Sequence, residues 1–373
     1  MKQKIALFHP WLKSKGGAEK VVLDLVKNFD CDIYTWIYDV EKTFEEFKKL
    51  DVKIIAPKLA QKLSRKYISK GLFLFVSLFN KIPLENYDKF LISTSGVGEF
   101  ITFRNCKKGE TYAYCHTPLR EATDNIIKWN LSNKNLNFFK KHFYLLSVGL
   151  YRFLERKAWK KIDHVIFNSD LSRDRAKERN LLGDKKNYVI YPPVDIPKKV
   201  KIKDGNYFLY VSRINPPKRQ RELINAFNNF SKDYPKMKLI LVGTTDNKEY
   251  FRKIEKLAGE NVELKSDLSN KELNKLYNEC KAGIFLGYEE DFGIVPIEVI
   301  SKGKPLIATN VGGYVDKIKK HPLFFEIDEK HDSKEMANEI EKVLREFMKK
   351  RISKVGPKLN MKDFSKEMRK VLG

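Results

Sequence analysis

Acidic residues and a glycine follow a hydrophobic segment that ends near Leu286. Glu290 lies in the loop after this segment, and Glu298 lies in the helix that the next residues predict, with Pro296 in or near its first turn. Carboxylates held rigidly and close together can accept hydrogen bonds from sugar hydroxyls. A helix that starts after a strand also offers backbone amides to a phosphate. We therefore expect a sugar and a phosphate to bind at this loop.

Two cations follow another hydrophobic segment, Tyr207 to Ser212. Arg213 comes directly after it, and Lys218 comes after a loop stiffened by prolines. A diphosphate that leaves as a glycosidic bond breaks gains charge, so two fixed cations stabilise the transition state more than the ground state. In this lysine-rich chain an isolated basic residue is more often a surface charge. The position after a strand nevertheless favours a diphosphate site.

A double glycine and a histidine carry weaker signals in the first half of the chain. Gly16 and Gly17 stand between a strand pattern and a helix pattern, where glycines let the backbone approach a ligand. A double glycine alone is usually only a turn. His116 ends the strand pattern 111–115 and can face a ligand from the strand's end, although a lone histidine is more often structural.

Alternating strands and helices must position these groups, and this alternation predicts parallel sheets covered by helices. With 373 residues the chain exceeds what one hydrophobic core usually organises. We place a domain linker in the polar, lysine-rich segment that ends at Gly205. The predicted strands are 5–8, 89–93, 111–115, 164–168, 207–212, 238–242, 262–265, 283–286 and 305–309, and predicted helices include 220–230, 250–258, 270–279 and 362–372.

These segments resemble the motifs of retaining glycosyltransferases of the GT-B fold, in the large group 1 (family 4) class, and are most similar to polysaccharide mannosyltransferases. The resemblance runs from Ile5 to about Leu344. It implies an α/β fold with two Rossmann-like domains that face each other across a cleft. The expected domains are an acceptor-side domain (1–194), a nucleotide-sugar-binding domain (195–358) and a C-terminal helix that crosses back to the first domain (359–373).

The resemblance also implies roles for single residues. It implies that Glu290 contacts the hydroxyls of the donor sugar and that Glu298 contacts the nucleotide ribose. Arg213 and Lys218 would bind the diphosphate, and His116 would contact the donor sugar near the reacting carbon. The expected catalytic residues are His116, Arg213, Lys218 and Glu290, and the expected donor-binding residues are Gly16, Gly17, Asp291, Phe292, Gly293, Ile294, Val295 and Glu298. The family pattern has glycine before the arginine and after the lysine, where Ser212 and Arg219 stand here.

The implied reaction moves a hexose from a nucleoside-diphosphate sugar to a glycan or lipid-linked acceptor with retention of configuration. The leaving diphosphate would take the acceptor's proton, so no enzymic nucleophile is needed. The sequence has no convincing Asp-x-Asp metal site, in agreement with the metal independence that the resemblance implies. GDP-mannose is the expected donor, and UDP-glucose or another UDP-sugar is the alternative. A sugar-phosphate synthase or UDP-sugar epimerase of the same fold class stays open, although no site for a small phosphorylated acceptor and no added acid–base pair is visible.

The net charge of +25 attracts anionic partners. Residues 58–83 and 134–161 interleave basic and large apolar residues, which fits either peripheral contact with an anionic membrane or a core-facing helix with a solvated basic side. No nucleic acid is expected, because charge alone favours it and no binding motif supports it. Widely spaced cysteines, and the lack of a signal-peptide or membrane-span pattern, predict a cytoplasmic protein that could sit at the inner face of the membrane.

Overall fold

The computed structural model describes residues 3–58, 61, 75–133, 137–194, 196, 205–245, 247–350, 359 and 361–373. These residues form two compact units, Met1–Pro193 with Lys362–Gly373 and Val194–Met361. Most of the first basic, aromatic stretch and of the predicted linker lies outside the described residues, and so do residues 134–136 of the second stretch.

The first unit is built on a seven-stranded parallel sheet. Its central strands are buried along almost their whole length, as expected of a parallel sheet covered on both faces. The strands are β1 (Lys4–Phe8), β3 (Asp30–Thr35), β5 (Val52–Ile54), β6 (Lys89–Thr94), β7 (Thr111–Cys115), β8 (His164–Phe167) and β9 (Lys186–Val189), and β2 (Trp11–Leu12) pairs separately with β4 (Ile37–Tyr38). Their order across the sheet is β5-β3-β1-β6-β7-β8-β9.

Between these strands the described residues contain the helices α1 (Gly17–Asn28), α2 (Asp124–Asn133), α3 (Phe138–Trp159) and α4 (Asp170–Glu178). Local caps fix two of their starts. The Asn137 side chain accepts a hydrogen bond from the Lys140 amide at the start of α3, and the Ser169 hydroxyl accepts one from the Ser172 amide at the start of α4. Each cap satisfies a backbone donor that the helix itself cannot.

The second unit contains a six-stranded parallel sheet. Its strands are β10 (Tyr207–Val211), β11 (Lys238–Val242), β12 (Val262–Lys265), β13 (Ala282–Phe285), β14 (Leu306–Thr309) and β15 (Phe324–Ile327), in the order β12-β11-β10-β13-β14-β15. Its helices are α5 (Gln220–Phe230), α6 (Lys248–Leu257), α7 (Asn270–Glu279), α8 (Ile294–Ser301), α9 (Val315–Ile318) and α10 (Ser333–Lys349). A capping box of Ser269 and Glu272 starts α7.

The chain ends in helix α11 (Phe364–Leu372), which belongs to the first unit. Phe364, Met368 and Leu372 are buried in the same hydrophobic cluster as residues of α1 and β1. The Lys89 ammonium in β6 donates a hydrogen bond to the carbonyl oxygen of Leu372. The last helix is therefore part of the first unit's core.

Both units have the doubly wound strand order, so the predicted α/β class with two Rossmann-like domains is confirmed. In each sheet the first strands are added towards one side and the later strands towards the other. The change of side falls between β1 and β6 in the first sheet and between β10 and β13 in the second. Ligands of such sheets bind outside the carboxyl ends of the strands at this switch point. Among the described helices, none combines the length and the apolar composition that a bilayer crossing requires.

Candidate active site

Two loops meet at the switch point of the second sheet. One follows β10 and carries Lys218, and the other follows β13 and carries Glu290. The amide of Tyr288 donates a hydrogen bond to the carbonyl of Pro217 at 2.9 Å, and the Lys218 ammonium forms an ion pair with the Glu290 carboxylate. The Tyr210 hydroxyl also donates to the carbonyl of Lys218. The predicted cation and the predicted acid are thus in direct contact.

Arg213 lies at the start of the same β10 loop, but its side chain is exposed. Its backbone is held by the Gln220 side chain, which donates to the Arg213 carbonyl at 2.8 Å. No ion pair of its guanidinium is found within the described part of the chain. The structure therefore leaves the positive charge of Arg213 available at the edge of the sheet, a few residues before Lys218.

Buried Tyr314 shapes the start of α8. Gly293, which caps this helix, has φ of 80°, and a Cβ added there would lie 2.6 Å from the Tyr314 ring. Gly312 has φ of 141° and would meet the same ring at 2.6 Å. The Tyr314 hydroxyl donates to the Thr309 carbonyl at 2.7 Å, which fixes the ring. Only glycine fits at both positions, because the left-handed backbone and the ring each exclude a side chain.

The residues between Glu290 and α8 present mainly their backbone. The side chains of Asp291 and Phe292 are buried, whereas Ile294 and Val295 at the start of the helix are partly exposed. The carbonyl of Glu290 accepts a hydrogen bond from the Gly313 amide at 2.9 Å, which ties this loop to the loop after β14. A ligand at this edge would meet backbone groups at the start of α8.

Glu298 lies within α8 and is partly buried. The hydroxyl of Tyr277 in α7 donates a hydrogen bond to its Oε2 atom at 3.1 Å. Burial raises the pKa of Tyr277 well above its usual value, so the hydroxyl keeps its proton and remains a donor. Tyr277 therefore orients one oxygen of the second glutamate, a contact that the sequence analysis did not identify.

Arg219 adopts the left-handed conformation, with φ of 58°, at a position where the related motif has glycine. This conformation disfavours a residue with a Cβ atom by about 1–2 kcal/mol. Three contacts hold the side chain: an ion pair with Glu329, a hydrogen bond to the Lys330 carbonyl at 3.0 Å, and the Tyr288 ring at 5.3 Å. Burial raises the pKa of Glu329, and the neighbouring Arg219 opposes that rise. These contacts explain how arginine replaces glycine beside Lys218.

In the first unit, His116 lies directly after β7 at the carboxyl edge of the sheet and is buried. Its Nε2 atom lies 2.9 Å from the Ser93 hydroxyl, and the same hydroxyl lies 3.0 Å from Nδ1 of His9, which follows β1. Burial lowers the pKa of His116 to about 3 and that of His9 to about 4, so both rings are neutral near pH 7. Ser93 and His9 were not among the predicted site residues.

Gly16 and Gly17 form the start of α1, as predicted from their position after β1. Glu19 in the first turn is buried and accepts a hydrogen bond from the Ser14 hydroxyl at 2.6 Å. A Cβ added to Gly16 would lie 2.5 Å from the Glu19 carboxylate. The glycine therefore allows the acid to fold back over the helix start.

The structure thus places the predicted residues in two groups. Arg213, Lys218, Glu290 and the residues that start α8 lie at the carboxyl edge of the second sheet, and Glu298 lies deeper in α8. Gly16, Gly17 and His116 lie at the carboxyl edge of the first sheet. Their individual roles remain predictions. Within the described residues, no group of three or more His, Cys, Asp or Glu side chains is arranged to hold a metal ion.

Comparison with known proteins identifies the second unit. Residues 193–358 match the family described as "Glycosyl transferases group 1". This stretch contains both the Arg213–Lys218 loop and the loop of Glu290.

Relatives extend this similarity over both units. The chain is 25% identical to the mouse (Mus musculus) protein named alpha-1,3/1,6-mannosyltransferase ALG2, over 88% of this chain and 85% of the relative. It is 24% identical to a Dictyostelium discoideum protein named GDP-Man:Man(3)GlcNAc(2)-PP-Dol alpha-1,2-mannosyltransferase, over 85% of this chain and 73% of the relative.

Solved structures share the fold. HepE from Anabaena, crystallised with UDP and glucose, has a TM-score of 0.64 at 18% identity and covers 93% of this chain and 91% of its own. A sucrose-phosphate synthase from Thermosynechococcus elongatus has a TM-score of 0.64 at 17% identity, with 92% and 90% covered. Both units carry the doubly wound strand order, and the second unit contains a domain of the group 1 glycosyltransferases.

Proposed function

We propose that this protein transfers mannose from GDP-mannose to a glycan or lipid-linked acceptor with retention of configuration. One observation carries the proposal: Arg213, Lys218 and Glu290 gather at the switch point of the second sheet, next to the backbone amides that start α8. The names of the mouse and Dictyostelium relatives support mannose as the sugar, and the second name specifies a GDP-linked donor and a lipid-linked acceptor.

In this proposal the Lys218–Glu290 ion pair opens when the donor binds. The diphosphate forms ion pairs with the Lys218 ammonium and the exposed Arg213 guanidinium. The Glu290 carboxylate, released from Lys218, accepts a hydrogen bond from a sugar hydroxyl. The two cations stabilise the charge that grows on the leaving diphosphate, whose oxygen takes the acceptor's proton. We infer that no metal ion is needed, because these side chains supply the positive charge.

The remaining predicted residues complete the binding of the donor. Glu298, oriented by Tyr277, accepts hydrogen bonds from the ribose hydroxyls. The backbone of Asp291, Phe292, Gly293, Ile294 and Val295 binds phosphate or sugar oxygens, since the side chains of the first two are buried. For the first unit we propose that His116 contacts the donor sugar and that the Gly16–Gly17 loop contacts the diphosphate.

Calorimetric titration with GDP-mannose and UDP-glucose tests the donor, and mass spectrometry of the products tests the transfer. We expect GDP-mannose to bind more tightly and turnover to continue in EDTA. Glu290→Gln and Arg213→Gln should each lower kcat/KM about 10- to 100-fold, because each removes a hydrogen bond to a charged group. Glu249→Gln, at an exposed position of α6, is the matched control. Unchanged turnover in Glu290→Gln and Arg213→Gln would refute the proposed site.

A UDP-sugar donor is the second candidate, and the structural neighbour that binds UDP and glucose shares only the fold with this chain. Tighter binding of UDP-glucose in the same titration would replace GDP-mannose. A product formed with a soluble sugar phosphate as acceptor would instead identify a sugar-phosphate synthase.

Helix α3 carries an apolar stripe that we propose as a contact with an anionic membrane. Phe139, Phe143 and Leu146 are 81%, 73% and 72% exposed, and Leu150 and Phe153 continue the stripe at helical spacing. Near its C-terminal end the opposite face of α3 is buried, with Glu155, Ala158 and Trp159 in the core, whereas residues 138–150 are exposed apart from the partly buried Tyr144 and Val148. Exposed basic residues flank the stripe, namely Lys140, Lys141, Arg156 and Lys157. An apolar stripe bordered by cations matches the surface of an acidic bilayer.

Flotation with vesicles of phosphatidylcholine and phosphatidylglycerol tests this contact. We expect the protein to float at low salt and less at high salt, because screening weakens the attraction of the basic residues. The double variant Phe139→Ser/Phe143→Ser should reduce the floated fraction about tenfold or more, since each phenylalanine loses the free energy of leaving water. Val40→Ser, an exposed apolar residue elsewhere in the first unit, is the control. Protein that stays at the bottom at low salt would refute the contact.

A further inference from the structure

A chain of three hydrogen-bonded side chains crosses the carboxyl edge of the first sheet. It runs from His9 through the Ser93 hydroxyl to His116, with distances of 3.0 Å and 2.9 Å. The three residues come from β1, β6 and β7 or the positions just after them, and these strands are neighbours in the sheet. Backbone bonds also fix His116, whose amide donates to the Thr94 carbonyl and whose carbonyl accepts from the Ser172 hydroxyl, each at 2.9 Å.

The number of protons couples the two rings. The Ser93 hydroxyl has one proton, so it can donate to only one imidazole and must accept from the other. If it donates to Nε2 of His116, that ring carries its proton on Nδ1. If it donates to Nδ1 of His9, His116 carries its proton on Nε2. With both rings neutral, the tautomer of one histidine therefore determines the tautomer of the other.

The two outer ends of this hydrogen-bonded chain differ. His9 is 3% exposed, and its ring interacts with the backbone of Trp11, which gives the His9 tautomer an anchor outside the chain. Nδ1 of His116, in contrast, makes no hydrogen bond within the described residues. A buried imidazole nitrogen without a partner is costly unless a ligand or water satisfies it. Ser93 is thus hydrogen-bonded to both rings, and Nδ1 of His116 is the ring nitrogen that a substrate could bind.

We propose that His9 is a positioning residue that acts through Ser93 to fix which ring nitrogen of His116 carries the proton. The inference rests on the proposed function, in which His116 contacts the donor sugar. A fixed tautomer gives Nδ1 of His116 one defined role toward a sugar hydroxyl, either donor or acceptor. The other tautomer would bring two donors or two acceptors together, which lowers the rate about 10- to 100-fold.

Nitrogen NMR of the histidine rings in the full-length protein tests the coupling without any substrate. We expect one tautomer of His116 in the unmodified protein, and a mixture or the opposite tautomer in His9→Phe and Ser93→Ala. His9→Asn places an amide group near the position of Nδ1 and should restore the single tautomer. Ser93→Ala removes only one oxygen atom, so it keeps the test available if His9→Phe does not fold. A His116 tautomer that is the same in all four proteins would overturn the proposal.

Kinetics with the donor identified by titration provides the second measurement. His9→Phe and Ser93→Ala should each lower kcat/KM about tenfold or more, and the double variant should fall no further than the more damaged single variant, because both cut the same chain. His9→Asn should stay within about threefold of the unmodified protein. Additive losses in the double variant would contradict a shared pathway through Ser93.

His164→Phe is the matched control. His164 starts β8 at the opposite edge of the same sheet and stacks on the Tyr112 ring at 4.4 Å, so phenylalanine keeps the stacking. It should change neither the His116 tautomer nor turnover. A third variant, His116→Ala, separates this inference from the proposed function. If it keeps full turnover, the role of His116 in donor binding is wrong, whereas a tautomer that responds to His9 still supports the coupling.

Discussion

Hydroxyl groups hold the acids and bases of the two sheet edges in place. Tyr277 donates to Glu298 in the second unit, and Ser93 bonds to His116 in the first. A charged or polar side chain that must meet a ligand in one orientation loses less conformational freedom on binding when such a neighbour already fixes it. At the scale of single residues, orientation is therefore supplied by side chains that need not touch the substrate.

Replacing Tyr277 by phenylalanine should test this orientation. Tyr277→Phe removes the hydrogen bond to Glu298 but keeps the ring in its buried position. We expect KM for the donor to rise about 3- to 10-fold with little change in kcat, since the bond orients a binding group rather than the leaving group. Steady-state kinetics measures both constants.

Tyr207→Phe is the control for that measurement. The Tyr207 hydroxyl donates to the carbonyl of Leu276 at 2.8 Å, so the control loses one hydrogen bond in the same unit without touching Glu298. An equal rise of KM in the control would show that loss of stability, and not orientation of Glu298, causes the effect.

Loops at the ends of strands, rather than the strands themselves, carry the groups of the second unit. The loops after β10, β13 and β14 are linked by two backbone hydrogen bonds, from Tyr288 to Pro217 and from Gly313 to Glu290, each at 2.9 Å. Tyr314 lies beneath two glycines of these loops. At the scale of elements, the start of α8 is therefore shaped by a side chain from the neighbouring strand–helix connection.

Gly293→Ala should destabilise the second unit and weaken donor binding. The new methyl group would lie 2.6 Å from the Tyr314 ring in addition to imposing a left-handed backbone on alanine. We expect a loss of about 1–3 kcal/mol in the free energy of unfolding, together with weaker binding of GDP-mannose. Urea unfolding and calorimetry measure the two effects.

Gly109→Ala separates the two causes. Gly109 has the same φ of 80°, but no atom lies within 4 Å of an added Cβ. It should lose only the backbone contribution, about 1 kcal/mol, and leave donor binding unchanged. Equal losses in the two variants would mean that contact with Tyr314 does not matter.

At the scale of the whole molecule, the two ends of the chain meet in one core. Helix α11 follows the entire second unit in the sequence, yet its apolar face is buried with α1 and β1. The first unit is therefore incomplete until the last residues have been added. Its stability depends on residues that are most distant in the sequence.

Met368→Ala tests this dependence. Met368 is fully buried, so its truncation should destabilise the first unit by about 2–5 kcal/mol. Hydrogen exchange followed by mass spectrometry should show faster exchange in β1, β3 and β6 and no change in the strands of the second unit. Lys366→Ala, on the exposed face of the same helix, should leave exchange unchanged. Faster exchange spread equally over both units would contradict the assignment of α11 to the first core.

Secondary structure could be predicted from the sequence, because strands, helices and turns depend mainly on residues that are close along the chain. Hydrophobic runs predicted β6, β7 and β10 to within a residue or two, and glycine and proline marked the loop before α8. β3 and β5 were not predicted, since Asp30, Asp32 and Lys53 interrupt their hydrophobic runs. The residue types at strand ends predicted sites for a sugar and a diphosphate, and the resemblance to the family's motifs added the glycosyltransferase reaction.

Contacts between distant residues were decided only by the tertiary structure. The Lys218–Glu290 pair, the chain from His9 to His116 and the bond from Tyr277 to Glu298 each join residues that are far apart in the sequence. The same holds for Arg219, whose left-handed conformation is stable because Glu329 and Tyr288 lie beside it. The order of the strands in the sheet brings these partners together. Strands can be predicted from a single sequence, but their neighbours in the sheet cannot.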